Sequence, residues 1–146
     1  MKADKSARAT DGELEVASIQ AIEDLPESLS DRLKHLARLP HNWDSYGAAP
    51  ISQNAIEKTK LILREILAVS GKDCPLPFIG PSPDGGVGLE WTVPSGKELI
   101  LDIPPSEEPL TFLLVEPTDS GDEKETEGTI GDPYTLDGVI RRLLLR

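Results

Sequence analysis

The chain has 146 residues, a net charge of −11, and 38% hydrophobic and 28% charged residues. That length fits one domain with a modest core plus loose ends, and the composition is ordinary for a globular protein. A surface this acidic repels phosphate backbones, which argues against direct DNA or RNA binding and leaves room for a basic protein partner.

Residues 1–22 are polar and aperiodic apart from a weak LEVASIQAI patch. They are expected to form a disordered or loose arm, with residues 23–146 as a single α+β domain. A first helix is predicted over Glu27–Leu39, where Leu29, Leu33, Leu36 and Leu39 make one apolar stripe between Pro26 and Pro40. A second is predicted over residues 53–69. Ser52 is its N-cap, Ile51 and Ile56 form a hydrophobic staple, and Gly71 closes it.

CPLPFIGPSPDGG carries four prolines and reads as an extended connector ending in a turn. Then come alternating runs. In VGLEWTV, residues 87–93, Val87, Leu89, Trp91 and Val93 share one face. ELILDI (98–103) and TFLLVE (111–116) repeat the pattern, and KETEGTI (124–130) reads as a polar edge strand. A last helix is predicted over Leu136–Leu145, with Thr135 as N-cap, Tyr134 and Val139 as staple, and Arg141, Arg142 and Arg146 at its negative end.

The predicted fold is therefore α+β: two N-terminal helices, a four-stranded antiparallel meander, and a C-terminal helix packed on one sheet face. The second sheet face would show Glu90, Thr92, Glu98, Ile100, Asp102, Leu113 and Val115. An apolar patch rimmed with acids is a docking surface in form.

Two segments carry a resemblance. NWDSYGAAPIS and, some thirty residues on, PSPDGGVGLEW resemble a widespread family of small bacterial proteins. Its members show W-D-x-Y-G-A-x-P-I before a helix and P-D-G-G-V-x-L-E-W on a strand. The likeness spans about residues 29–146, and no reaction, cofactor or catalytic residue comes with it. Ser45 stands where that family commonly has glycine, which weakens any claim that the turn needs glycine there.

Chemistry is sparse. HNWDSYGAAP gathers scarce rings around an acid, so Trp43, Asp44 and Tyr46 read either as a lid on the core or as an aromatic-walled pocket anchored by Asp44. Glu90 is a solvated strand residue or a recognition carboxylate beside Asp102, with Trp91 next to it. His35 and His41 are split by Pro40, and Cys74 is the single cysteine. That excludes an internal disulfide and supports no metal site. There is no G-x-S-x-G, no phosphate loop and no dinucleotide fingerprint. The first fifteen residues lack the apolar core of a secretory signal, and no apolar run approaches the ~20 residues that cross a bilayer.

The expectation is a cytoplasmic, non-enzymatic interaction module without cofactor, metal or membrane contact. It would be a neutralising partner of antitoxin or immunity type, or an accessory subunit. Its binding residues would come from Trp43, Asp44, Tyr46, Glu90, Trp91 and Asp102. The alternatives are a small-ligand binder or unusual hydrolase with a pocket between the W-D-S-Y-G loop and the L-E-W strand, and a sheet-to-sheet homodimer.

Overall fold

Helix α1 runs over Glu27–Ala37 and buries Leu29, Leu33 and Leu36, three members of the apolar stripe. It stops two residues short of Leu39, where Arg38 and Leu39 close the end with backbone bonds to His35 and Leu36. Helix α2, Gln53–Ser70, starts as the sequence predicts. The Ser52 hydroxyl accepts the Ala55 N–H at 2.9 Å, which satisfies one of the orphan donors of the first turn. Ile51 and Ile56 are both buried beside it.

These elements belong to a computed structural model that describes residues 25–70 and 74–145. The arm predicted over residues 1–22 and the Gly71 cap lie outside the described residues.

Five strands follow: β1 Phe78–Pro81, β2 Val87–Thr92, β3 Glu98–Ile103, β4 Leu110–Pro117 and β5 Glu123–Ile130. They form one antiparallel sheet in the order β1-β2-β3-β4-β5. The four-strand expectation is corrected by β1, which lies inside the proline-rich connector. Proline removes a ladder donor, so it is tolerated on an edge, and β1 is an edge strand carrying Pro81. Helix α1 flanks this edge: the Arg32 Nε–H donates to the Ile79 carbonyl at 2.8 Å.

Helix α3 spans Pro133–Leu144, three residues earlier than its apolar pattern indicates. Asp132, not Thr135, is the cap: its carboxylate accepts the Thr135 N–H at 2.8 Å, and Pro133 follows where its missing N–H costs nothing. Tyr134 is 88% exposed, so it makes no staple with Val139.

The register fixes the two sheet faces. Ile79, Leu89, Leu101 and Phe112 stand side by side, and Trp91, Leu99 and Leu114 form the next row. All but Phe112 are buried, and they pack against Leu33, Leu36, Leu63, Ile66, Ile140 and Leu143 of the helices in one core. The α+β layering and the C-terminal helix on this face agree with the sequence reading. No described helix is long and apolar enough to cross a membrane.

Candidate functional site

The W-D-S-Y-G loop is a self-bonded turn. Asn42 and Ser45 adopt positive φ, 64° and 68°. The Asp44 carboxylate accepts the N–H groups of Tyr46 at 2.8 Å and Ala48 at 3.1 Å. The Asn42 side chain accepts the Gly47 N–H at 2.6 Å, and the Trp43 indole N–H donates to the Ala49 carbonyl at 2.8 Å. Asn42, Trp43 and one Asp44 oxygen are thus bonded to the loop's own backbone. Trp43 and Asp44 are half-buried, and Tyr46 is 92% exposed.

The two motif segments meet. Ala49 donates its N–H to the Pro83 carbonyl and Ser52 to the Gly85 carbonyl, each at 2.9 Å. The Ser52 hydroxyl reaches the Pro105 carbonyl at 3.1 Å, while Asn54 and Lys58 hold the Ser106 carbonyl. Three loops, around residues 41–52, 82–86 and 104–108, therefore lock together at one end of the sheet. Gly85 needs its φ of 97°, and a Cβ there would meet the Pro50 carbonyl oxygen at 3.0 Å. This is the physical content of D-G-G beside W-D-S-Y-G.

The predicted residues divide among places. Trp91 points into the core with its indole N–H on the Pro75 carbonyl at 3.0 Å. Glu90, its chain neighbour, points the other way and is exposed. Glu90 and Trp91 therefore line no common pocket. Glu90 also lies four residues, roughly 13 Å, along the strand from Gly86, where the loops meet. Glu90 and Asp102 do share a face. Glu90 stands opposite Ile100 and Asp102 opposite Gly88, so the two carboxylates are diagonal neighbours, about 7–8 Å apart at their Cα atoms. They are not a direct pair.

That second face is built in cross-strand rows. One runs Phe78, Glu90, Ile100, Leu113, Glu127; the next runs Gly80, Gly88, Asp102, Thr111, Thr129. The third joins Thr92, Glu98, Val115 and Glu125. Ile100 and Leu113 are half-buried and Val115 is buried, while Glu90, Glu98, Asp102, Glu125 and Glu127 are exposed. These strand positions hold carboxylates and no lysine or arginine. At the corner, a groove of about 480 Å³ is lined by Asp84, Asp102, Glu108, Ser82 and Thr111. Asp84 spends one oxygen on the Gly86 N–H at 2.9 Å.

No family model, no curated protein and no solved structure matches the chain.

Sequence reasoning missed Phe78, Asp84, Glu108, Glu125 and Glu127 as parts of this surface. The strand that carries Phe78 was hidden among prolines. Glu125 and Glu127 join it through the β4–β5 register, opposite Val115 and Leu113, and Asp84 and Glu108 line the groove with Asp102 from loops. Two further groups are structural. The carboxyl of Glu116 is held below its ordinary range by two 3.0 Å bonds from the Arg142 Nε–H, and Lys97 stands 3.6 Å away. Burial pushes the Cys74 thiol up. Among the described residues no group of three or more His, Cys, Asp or Glu is placed to hold a metal.

Proposed function

We propose that this protein is a non-enzymatic docking module whose second sheet face receives a basic, partly apolar segment of another protein. One observation carries the reading: a centre of half-buried Ile100 and Leu113 beside five exposed carboxylates without a cation on the same strand positions. Apolar surface provides the non-directional part of association, and the ring of charge selects the partner and speeds encounter. A neutralising partner of a basic effector fits this chemistry, as the size and charge do.

Charge also weighs against the homodimer. Two copies meeting face to face would bring ten carboxylates together without a counter-charge, and opposed like charges cost several kcal/mol. The pocket alternative is weaker for a different reason: Asp44 and Trp43 already satisfy their own loop. The likeness to small bacterial proteins remains a proposal, supported by the contact between its two motif segments.

The test is titration of the full chain with a peptide of alternating lysine and leucine, followed by amide shifts and calorimetry. Binding should map to β2, β3 and β4, weaken with salt, and fall about tenfold or more in Glu90→Gln/Asp102→Asn. A control, Glu57→Gln on α2, should bind as the native chain does. Shifts spread evenly over the surface, or no response to the face variant, would defeat the reading.

A further inference from the structure

We propose that residues 13–22 of this chain, ELEVASIQAI, seat in the groove between α2 and α3, with the Glu15 carboxylate on Arg64. This seat lies on the helical layer, away from the open sheet face, and stands or falls separately from the docking reading.

The seam between α2 and α3 is not closed. One hollow of about 380 Å³ is lined by Leu61, Leu110, Ile130 and Leu136. A second, of about 420 Å³, is lined by Val69, Ile140 and Leu144 further along the same two helices. Leu61 is 46% exposed, and Leu145 at the second hollow is 63% exposed. Two apolar hollows in line along one helix pair form the kind of groove that receives an apolar stretch of chain.

Arg64 adds a polar demand. It lines the first hollow and is half-buried as a residue. Its Nε–H, however, is shut off from solvent and has no hydrogen-bond partner among the described residues. Buried donors are ordinarily paired. Glu65, the next residue, makes no bond to it. The nearby Asp132 carboxylate is committed to the Thr135 N–H and hydroxyl. An occupant that suits the groove therefore brings apolar side chains and an acceptor, and a carboxylate is the strongest acceptor for a guanidinium.

The chain before Leu25 supplies such a stretch. ELEVASIQAI holds Leu14, Val16, Ile19 and Ile22, with Glu13 and Glu15 at its head. It joins the described residues at Leu25, which is buried just before α1. Helix α1 leads into the loop that bonds Pro83 and Gly85, and α2 starts from that same junction. One helix approaches the junction and the other leaves it, so Leu25 and Ser70 both lie away from it. Ser70 lines the second hollow. The segment therefore enters the groove at that hollow with Ile22. Arg64 is five helical residues, roughly 7.5 Å, from Val69. The seven residues from Ile22 to Glu15 cover at least roughly 10 Å, enough to bring Leu14 into the first hollow and Glu15 to Arg64.

The experiment places a nitroxide on residue 20 of the full chain, using Gln20→Cys with Cys74→Ser so that one thiol is labelled. Amide intensities are read against the reduced label. Leu61, Arg64, Val69 and Ile140 should lose most of their signal, and Ile100 and Leu113 on the open sheet face should keep most of theirs. Glu15→Arg should release the segment and return the lost signals, and Glu15→Arg/Arg64→Glu should bring the loss back. Should Arg64→Glu disturb folding, Leu14→Asp/Ile22→Asp makes the same release from outside the described core. Even loss over the whole surface, loss centred on Ile100 and Leu113, or signals that ignore both segment variants would each overturn the seat. So would signal loss in an isotope-labelled chain mixed with a spin-labelled one, which would assign the groove to a second copy.

Discussion

A Cβ placed on Gly86 would stand 2.3 Å from the carbonyl oxygen of Ile103. No side-chain rotation relieves that contact, because both partners are backbone. Gly86→Ala should therefore force the turn away from β3 and lower stability by about 2–3 kcal/mol, the range of a forced overpacking. Urea unfolding with far-UV circular dichroism checks this. Gly88→Ala, two residues on, should cost nothing, and the contrast separates a glycine needed by the fold from one that is not.

Asp44 tests whether the W-D-S-Y-G loop is architecture. Its carboxylate replaces missing backbone partners as a helix cap does, so Asp44→Ala should lose about 1–2 kcal/mol. Asp44→Asn retains an acceptor and should lose about half as much. Affinity for the lysine–leucine peptide should stay unchanged in both. A variant that binds less but unfolds at the native urea concentration would make the loop part of the site.

Ser45 offers a stabilising substitution. It holds a φ of 68°, which costs a residue with a Cβ about 1–2 kcal/mol and glycine almost nothing. Part of that gain is offset by the greater freedom of glycine in the unfolded chain. Ser45→Gly should raise stability by about 0.5–1 kcal/mol and lift the melting temperature. A lowered melting point would show that the serine hydroxyl contributes more than its backbone conformation costs.

The Glu116 carboxylate makes stability depend on pH. Arg142 first, and then Lys97, hold its folded-state pKa below the ordinary 4.5. The resulting stabilisation is fully present above that ordinary value and is lost as pH falls through the lowered one. Glu116→Gln should thus melt below the native protein at neutral pH. The difference should shrink below pH 4.5 and close at the acid end, and high salt should narrow it too. Melting curves across pH measure it; a gap that stays constant with pH would assign the effect to packing.

How far the sequence reached can be seen residue by residue. The runs around Leu89, Leu101 and Leu114 were legible because burying one sheet face imposes a period of two. Strand β1 was not, because Pro75, Pro77, Pro81 and Pro83 all signal loop, and an edge strand forgives what a central one cannot. The start of α3 was masked by two acceptable caps, Asp132 and Thr135; Pro133 was the deciding signal. Tyr46 was read as part of a core lid or a pocket wall because rings are scarce, and Tyr134 as a staple because of its spacing from Val139, and both stand in solvent. At the site, Glu90 and Asp102 could be placed on the exposed face, but their diagonal relation required the register.

Each strand of this sheet bonds only to those before and after it in the chain. Hairpins need little loop closure, so the sheet can zip up progressively while the chain is still being made. Helices α1 and α2, by contrast, emerge first with their leucine and isoleucine stripes uncovered. They must wait for β2 and β3 before they have anything to rest on. The interval between those two events is when this molecule is most open to aggregation.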